Sequence, residues 1–111
     1  MRPNTSRVRK PRVEIKVNDV KVPMILDTGS NETVLSTSTW RRIGHPKIEP
    51  VQNELKDLSG RSIPMLGTCT VAVISNHRRY VTNVYIHQGN ADILGLRAIK
   101  TLKIDLNKAV H

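Results

Sequence analysis

Phenylalanine is absent from this sequence of 111 residues, and one Trp and two Tyr hold its aromatic content to 3%. So few rings leave little to stack on unpaired bases, which argues against a platform for single-stranded nucleic acid. Core packing falls instead to Val, Ile, Leu and Met, and the β-branched residues among them favour strands, so the expected class is all-β. Cysteine occurs once, at Cys69. No disulfide can form within the chain, and the fold does not depend on an oxidising compartment. In its alternating segment Cys69 reads as a small buried hydrophobe. No apolar run reaches the roughly 20 residues of a membrane-spanning helix, and no signal-peptide core follows Met1, so no membrane partner is expected. The four histidines (His45, His77, His87 and His111) fall at no ligand spacing, so neither a metal nor another cofactor is expected.

What the sequence does hold is positive charge: 18 Lys and Arg against 9 Asp and Glu, a net +9. That balance suits contact with a polyanion. The excess is spread out, however, and is densest at Arg2, Arg7, Arg9, Lys10 and Arg12, among Asn, Thr and Ser. Residues 1–10 therefore read as a flexible basic arm, solvated first and a nucleic-acid contact second. Residues 11–111 form one domain with a modest core.

Within that domain Val13, Ile15 and Val17 alternate with Glu14 and Lys16, the period of a half-buried strand. Asn18-Asp19 is a two-residue turn signal, and Val20, Val22 and Met24 begin the return strand of a hairpin. Ser36 to Thr39 before Trp40 offers helix caps, and Gly44 a stop. Leu55 to Leu66 reads as a hairpin around Ser59-Gly60-Arg61, with Pro64 marking an edge. Cys69, Val71 and Val73 alternate along another strand, Ser75 to Arg78 turns it, and Tyr80 to Ile86 returns.

The chain is organised around Ile25-Leu26-Asp27-Thr28-Gly29-Ser30. An apolar run ends in a carboxylate, whose charge at a buried strand needs hydrogen bonds. Thr28 and Ser30 bring hydroxyls, and Gly29 permits close backbone approach. Asp-Thr-Gly is a weak motif alone, since Asp, Gly and Ser are common turn residues. A second stretch, Asp92-Ile93-Leu94-Gly95, is followed by the amphipathic Arg97 to Leu102.

These two stretches, in this order, resemble the retropepsins, the retroviral-type aspartic proteases, and the likeness runs from Pro11 to Leu106. Ser30 after the Gly, and Ser59 to Pro64 ahead of Leu66-Gly67, are closest to the proteases of long-terminal-repeat retrotransposons. The resemblance implies a retropepsin-like acid-protease barrel with a flap hairpin and one short C-terminal helix near Arg97–Leu102. It implies an aspartic endopeptidase that processes its own retroelement polyprotein, in the cytoplasm or inside virus-like particles. Asp27 would be catalytic. The chain has one Asp-Thr-Gly, and Asp57, Asp92 and Asp105 lack its flanking residues. The second carboxylate must then come from another copy in a homodimer.

By the same resemblance Thr28 reaches across the dimer, Gly29 offers its carbonyl to the substrate backbone, and Ser30 steadies the carboxylate. Ile25, Val34, Ala91 and Ile93 line apolar side-chain pockets, Asn31 lies on the substrate side of the loop, and Gly60 sits near the flap tip. Lys103 to Asn107 would be a strand interleaving with the partner's termini. Retroviral members pair an Arg after the second Gly with an Asp in the first loop. Here Leu96 and Asn31 hold those positions and Arg97 stands one residue late, so that pair is expected to be missing and the dimer weakened. A peptide-binding or dimerisation module without useful activity is the first alternative, and a basic nucleic-acid-binding domain the second.

Overall fold

The structure, a computed structural model, describes residues 10–51, 55–56 and 59–109. Residues 1–9 of the expected arm, and Asp57, lie outside the described residues. Strand β1 (Arg12–Val17) turns through Asn18-Asp19 into β2 (Val20–Asp27). Both turn residues have positive φ, 48° and 67°, the conformation a two-residue hairpin needs and one that Asn and Asp tolerate. After the Asp27 loop come β3 (Val34–Ser36) and helix α1 (Thr37–Arg42). Strands β4 (Leu55–Lys56) and β5 (Ser62–Ile63) pair into a small separate hairpin. The long strands β6 (Met65–Ser75) and β7 (Arg78–His87) follow, joined by Asn76-His77 at φ 53° and 62°. Strand β8 (Ile93–Gly95) leads directly into helix α2 (Leu96–Thr101).

The strands close a barrel in the order β1-β2-β8-β3-β7-β6, with β1 returning to β6. Closure removes exposed strand edges. Alternation decides which residues point inward: Ile15 and Val17, Val22, Met24 and Leu26, then Cys69, Val71 and Val73 are buried. Leu94, Ile99 and Leu102 fill the end covered by α2 and are all but fully buried. Each such aliphatic side chain contributes about 2 kcal/mol on leaving water. Burial also pushes the Cys69 thiol up to about 11, which keeps it a neutral packing residue.

The described chain departs from the expected terminal strand. Lys103 takes φ 54°, and Leu106–Lys108 forms a single 3₁₀ turn. Asp105 caps that turn by accepting the Asn107 N–H at 2.9 Å. The Lys108 N–H also bonds the Asp105 carbonyl at 3.1 Å, so the backbone closes on itself locally. The helix read as an option at Ser36 to Thr39 is present as α1, with Ser36 Oγ accepting the Thr39 N–H.

Candidate active site

Three short elements meet at the end of β2. Strand β8 lies parallel to β2, with Ile25 opposite Ile93, Leu26 opposite Leu94 and Asp27 opposite Gly95. On its other side β8 pairs with β3, Val34 opposite Ile93. Ile25, Ile93 and Val34 therefore form one row across three strands, and Ala91 lies two residues ahead of that row. Asp27 ends β2, with its side chain 23% exposed.

Residues 28–33 are folded back onto the start of α2. The Leu96 N–H donates to the Ser30 carbonyl at 2.7 Å, and the Arg97 N–H to that of Asn31 at 3.3 Å. The buried Thr33 Oγ1 accepts the Gly95 N–H at 3.1 Å. A Cβ at Gly95 would run into the Asn31 and Glu32 backbone, so only glycine lets the loop lie this close. That contact explains physically why the second stretch ends in glycine.

The Asp27 carboxylate is held from two sides. Oδ1 accepts the Gly29 N–H at 3.0 Å, and Oδ2 accepts from Lys10 Nζ at 2.8 Å. The Lys10 ammonium has the largest influence on its titration. Partial burial opposes it, the Gly29 N–H adds to it, and the carboxyl lies below its ordinary range. The Ser30 hydroxyl does not steady the carboxylate. It donates to the Glu32 carbonyl at 2.9 Å, while the Ser30 N–H bonds the Asp27 carbonyl at 3.1 Å. Thr28, Gly29 and Asn31 are exposed. Gly60 lies in the tip of the β4–β5 hairpin at φ +86°, apart from the barrel sheet.

Four features escaped the sequence reading. Lys10 belongs to the stretch that reads as a solvated arm, yet it sits on Asp27. Asn31 and Leu96 have no charges to pair, but an ion pair forms one residue later on both sides, Arg97 Nε to Glu32 Oε1 at 3.3 Å. Asp92 is structural: its carboxylate accepts the Ser36 N–H at 2.8 Å and the Thr39 hydroxyl at 2.7 Å, tying β8 to α1. His87 binds both ends of the turn that precedes β8. Two of these had a sequence signal: the Asn18-Asp19 turn sets Lys10 in register with Asp27, and a Glu and an Arg each stand displaced by one from the expected places.

Known structures share this fold. EIAV protease, solved with the inhibitor HBY-793, superposes with a TM-score of 0.75, covering 93% of this chain and 97% of its own at 18% identity. The retroviral protease-like domain of Ddi1 from Leishmania major gives a TM-score of 0.67 over 91% of this chain and 85% of its own, at 20% identity. At such identities the likeness is one of fold, and the fold is retropepsin-like. In sequence, the uncharacterized protein K02A2.6 of Caenorhabditis elegans is 29% identical over 91 residues, 82% of this chain. The chain spans 7% of that protein's length. Residues 13–98, from β1 into α2 and across the whole Asp27 loop, match the family profile described as aspartyl protease, and this chain belongs to that family.

Proposed function

We propose that the chain is an aspartic endopeptidase, active as a homodimer in which two Asp27 carboxylates face each other. Hydrolysis without a metal or a covalent nucleophile needs a base for the water and an acid for the carbonyl oxygen. Two close carboxylates sharing one proton supply both, because like charges that near do not both ionise readily. The observation that carries this reading is Asp27 itself. It is partly exposed at a strand end, with Gly29 donating to one oxygen and the loop pinned to α2 through Ser30 and Asn31. One chain offers one such loop, so a second copy completes the site. The substrate class is an extended peptide, its apolar side chains received by Ile25, Val34, Ala91 and Ile93, with Gly60 in the closing hairpin. Processing of a retroelement polyprotein fits a short protease domain that matches a small part of a much longer relative.

The Lys10–Asp27 ion pair favours one alternative, a dimerisation or peptide-binding module whose carboxylate stays neutralised. Turnover of peptides from the chain's own flanking polyprotein decides between them. The unmodified chain should cleave, and Asp27→Asn should abolish cleavage while leaving the fold intact. Equal turnover by Asp27→Asn would end the aspartic-protease reading.

A further inference from the structure

The turn between β7 and β8, residues 88–92, is held by side chains at both ends. At its far end Asp92 bonds Ser36, the cap of α1, through one carboxylate oxygen and Thr39 of α1 through the other, and its carbonyl accepts the Ile25 N–H at 2.8 Å. At its near end His87 folds its ring back over the turn. His87 Nδ1 accepts the Gly89 N–H at 3.2 Å, and Nε2 lies 2.6 Å from the Ala91 carbonyl. A backbone N–H can only donate, so Nδ1 bears the lone pair and the proton sits on Nε2, which donates to Ala91. The ring thus closes the turn with one acceptor and one donor. The Thr37 hydroxyl fixes the same residue by donating to the His87 carbonyl at 2.9 Å.

We infer that His87 is a positioning residue for the substrate cleft: its Nε2–H tautomer sets the place of Ala91, and through it the apolar wall formed with Ile93 and Ile25. The inference rests on the protease reading for its substrate, but the clamp itself is a property of the fold. Ala91 leads into β8, whose Ile93 stands opposite Ile25, two residues before Asp27. A turn that relaxes outward moves Ala91 first and the dyad least. Loss of the clamp should therefore weaken recognition of the side chains flanking the scissile bond more than it slows chemistry. The space for the ring is kept by Gly89, where an added Cβ would lie 2.7 Å from His87 Cε1. A methyl there displaces the ring without removing it.

The experiment compares His87→Ala, His87→Asn, His87→Gln and Gly89→Ala on peptides whose flanking side chains run from Ala through Leu to Phe. His87→Ala and Gly89→Ala should lose about tenfold in kcat/KM on the best peptide, mainly through KM, and narrow the preference among side chains. Asn and Gln each keep one of the two bonds and should rescue in part. Amide hydrogen exchange at Gly89 and Ile25 provides a readout independent of turnover, with faster exchange at both expected in His87→Ala and Gly89→Ala. No cleavage by the unmodified chain would count against the protease reading alone, since exchange would still report the clamp. Unchanged exchange at both amides, or unchanged KM and side-chain preference in a cleaving enzyme, would overturn the role of His87.

Discussion

Lys10 and Asp27 face each other within one chain, ammonium 2.8 Å from carboxylate, across the extension of the first hairpin. The hairpin register dictates the meeting: Arg12 lies opposite Ile25, and two residues further out Lys10 reaches Asp27. The Pro11 carbonyl, between them, accepts the Leu26 N–H at 2.8 Å. The base of the proposed dyad is thereby kept ionised, while the shared proton is opposed.

The first prediction follows from that opposition. Asp27 titrates below its unfolded value, so the pair adds stability above the ordinary carboxylate range. That stability is lost as pH falls through the folded value. Its size is under about 1 kcal/mol, because Lys10 is 59% exposed. Lys10→Gln removes the largest influence and should move the Asp27 titration to higher pH, read by the carboxyl carbon's NMR shift. It should also move the acidic limb of the pH–rate profile upward. A titration unmoved by the substitution would show that Lys10 does not govern this carboxyl.

The second prediction separates Asp27 from Asp92. Asp27→Asn should leave urea stability nearly unchanged. Asp92→Ala strips the Ser36 N–H and the buried Thr39 hydroxyl of their acceptor, and should cost about 1–3 kcal/mol. Equal stability of the two variants would mean that Asp92 does not hold α1 to β8.

Much of this was legible because local chemistry and fold agree. Alternation placed Ile15, Val17, Cys69, Val71 and Val73 inside, and Asn18-Asp19 placed the first hairpin. That same turn implied the Lys10–Asp27 meeting, since a two-residue turn fixes every pairing behind it. The charge density around Lys10 masks that register, because a basic run reads as a solvated segment whatever it pairs with. The Glu32–Arg97 pair was obscured differently, because its members are shifted together while the backbone bonds of residues 30 and 31 to α2 stay in place. His87 gave no periodic or spacing signal at all, since its partners are backbone groups of a turn.

The third prediction concerns the β4–β5 hairpin. Gly60 holds φ +86° with open space around it among the described residues, so the obstacle to a side chain there is backbone strain rather than collision with them. Gly60→Val should add about 1–2 kcal/mol of strain at the tip, a loss of roughly tenfold or more in kcat/KM if closure bears it. The melting temperature should barely move, because the hairpin is separate from the barrel sheet. Unchanged kcat/KM would remove Gly60 from the substrate side.

The fourth prediction is that activity vanishes on dilution, and it comes from counting carboxylates. One chain presents one Asp27 loop, so a monomer has half a dyad, no proton to share and an open cleft. Specific activity should fall as concentration drops below the dimer dissociation constant. The Glu32–Arg97 pair changes the expectation drawn from Asn31 and Leu96. An ion pair braces the loop against α2 after all, although with Arg97 69% exposed its contribution is small. Arg97→Ala should accordingly shift the dilution midpoint by no more than a few-fold. Leu106–Lys108, closed into a 3₁₀ turn in the single chain, would have to open to pair with a partner's terminus, a cost that weakens association. The pH profile should be bell-shaped only at concentrations where the dimer persists, and its two limbs belong to the pair of carboxylates rather than to either one. Sedimentation and activity measured over one dilution series check this directly. Full specific activity in a sample that sediments wholly as monomer would end the shared-dyad mechanism.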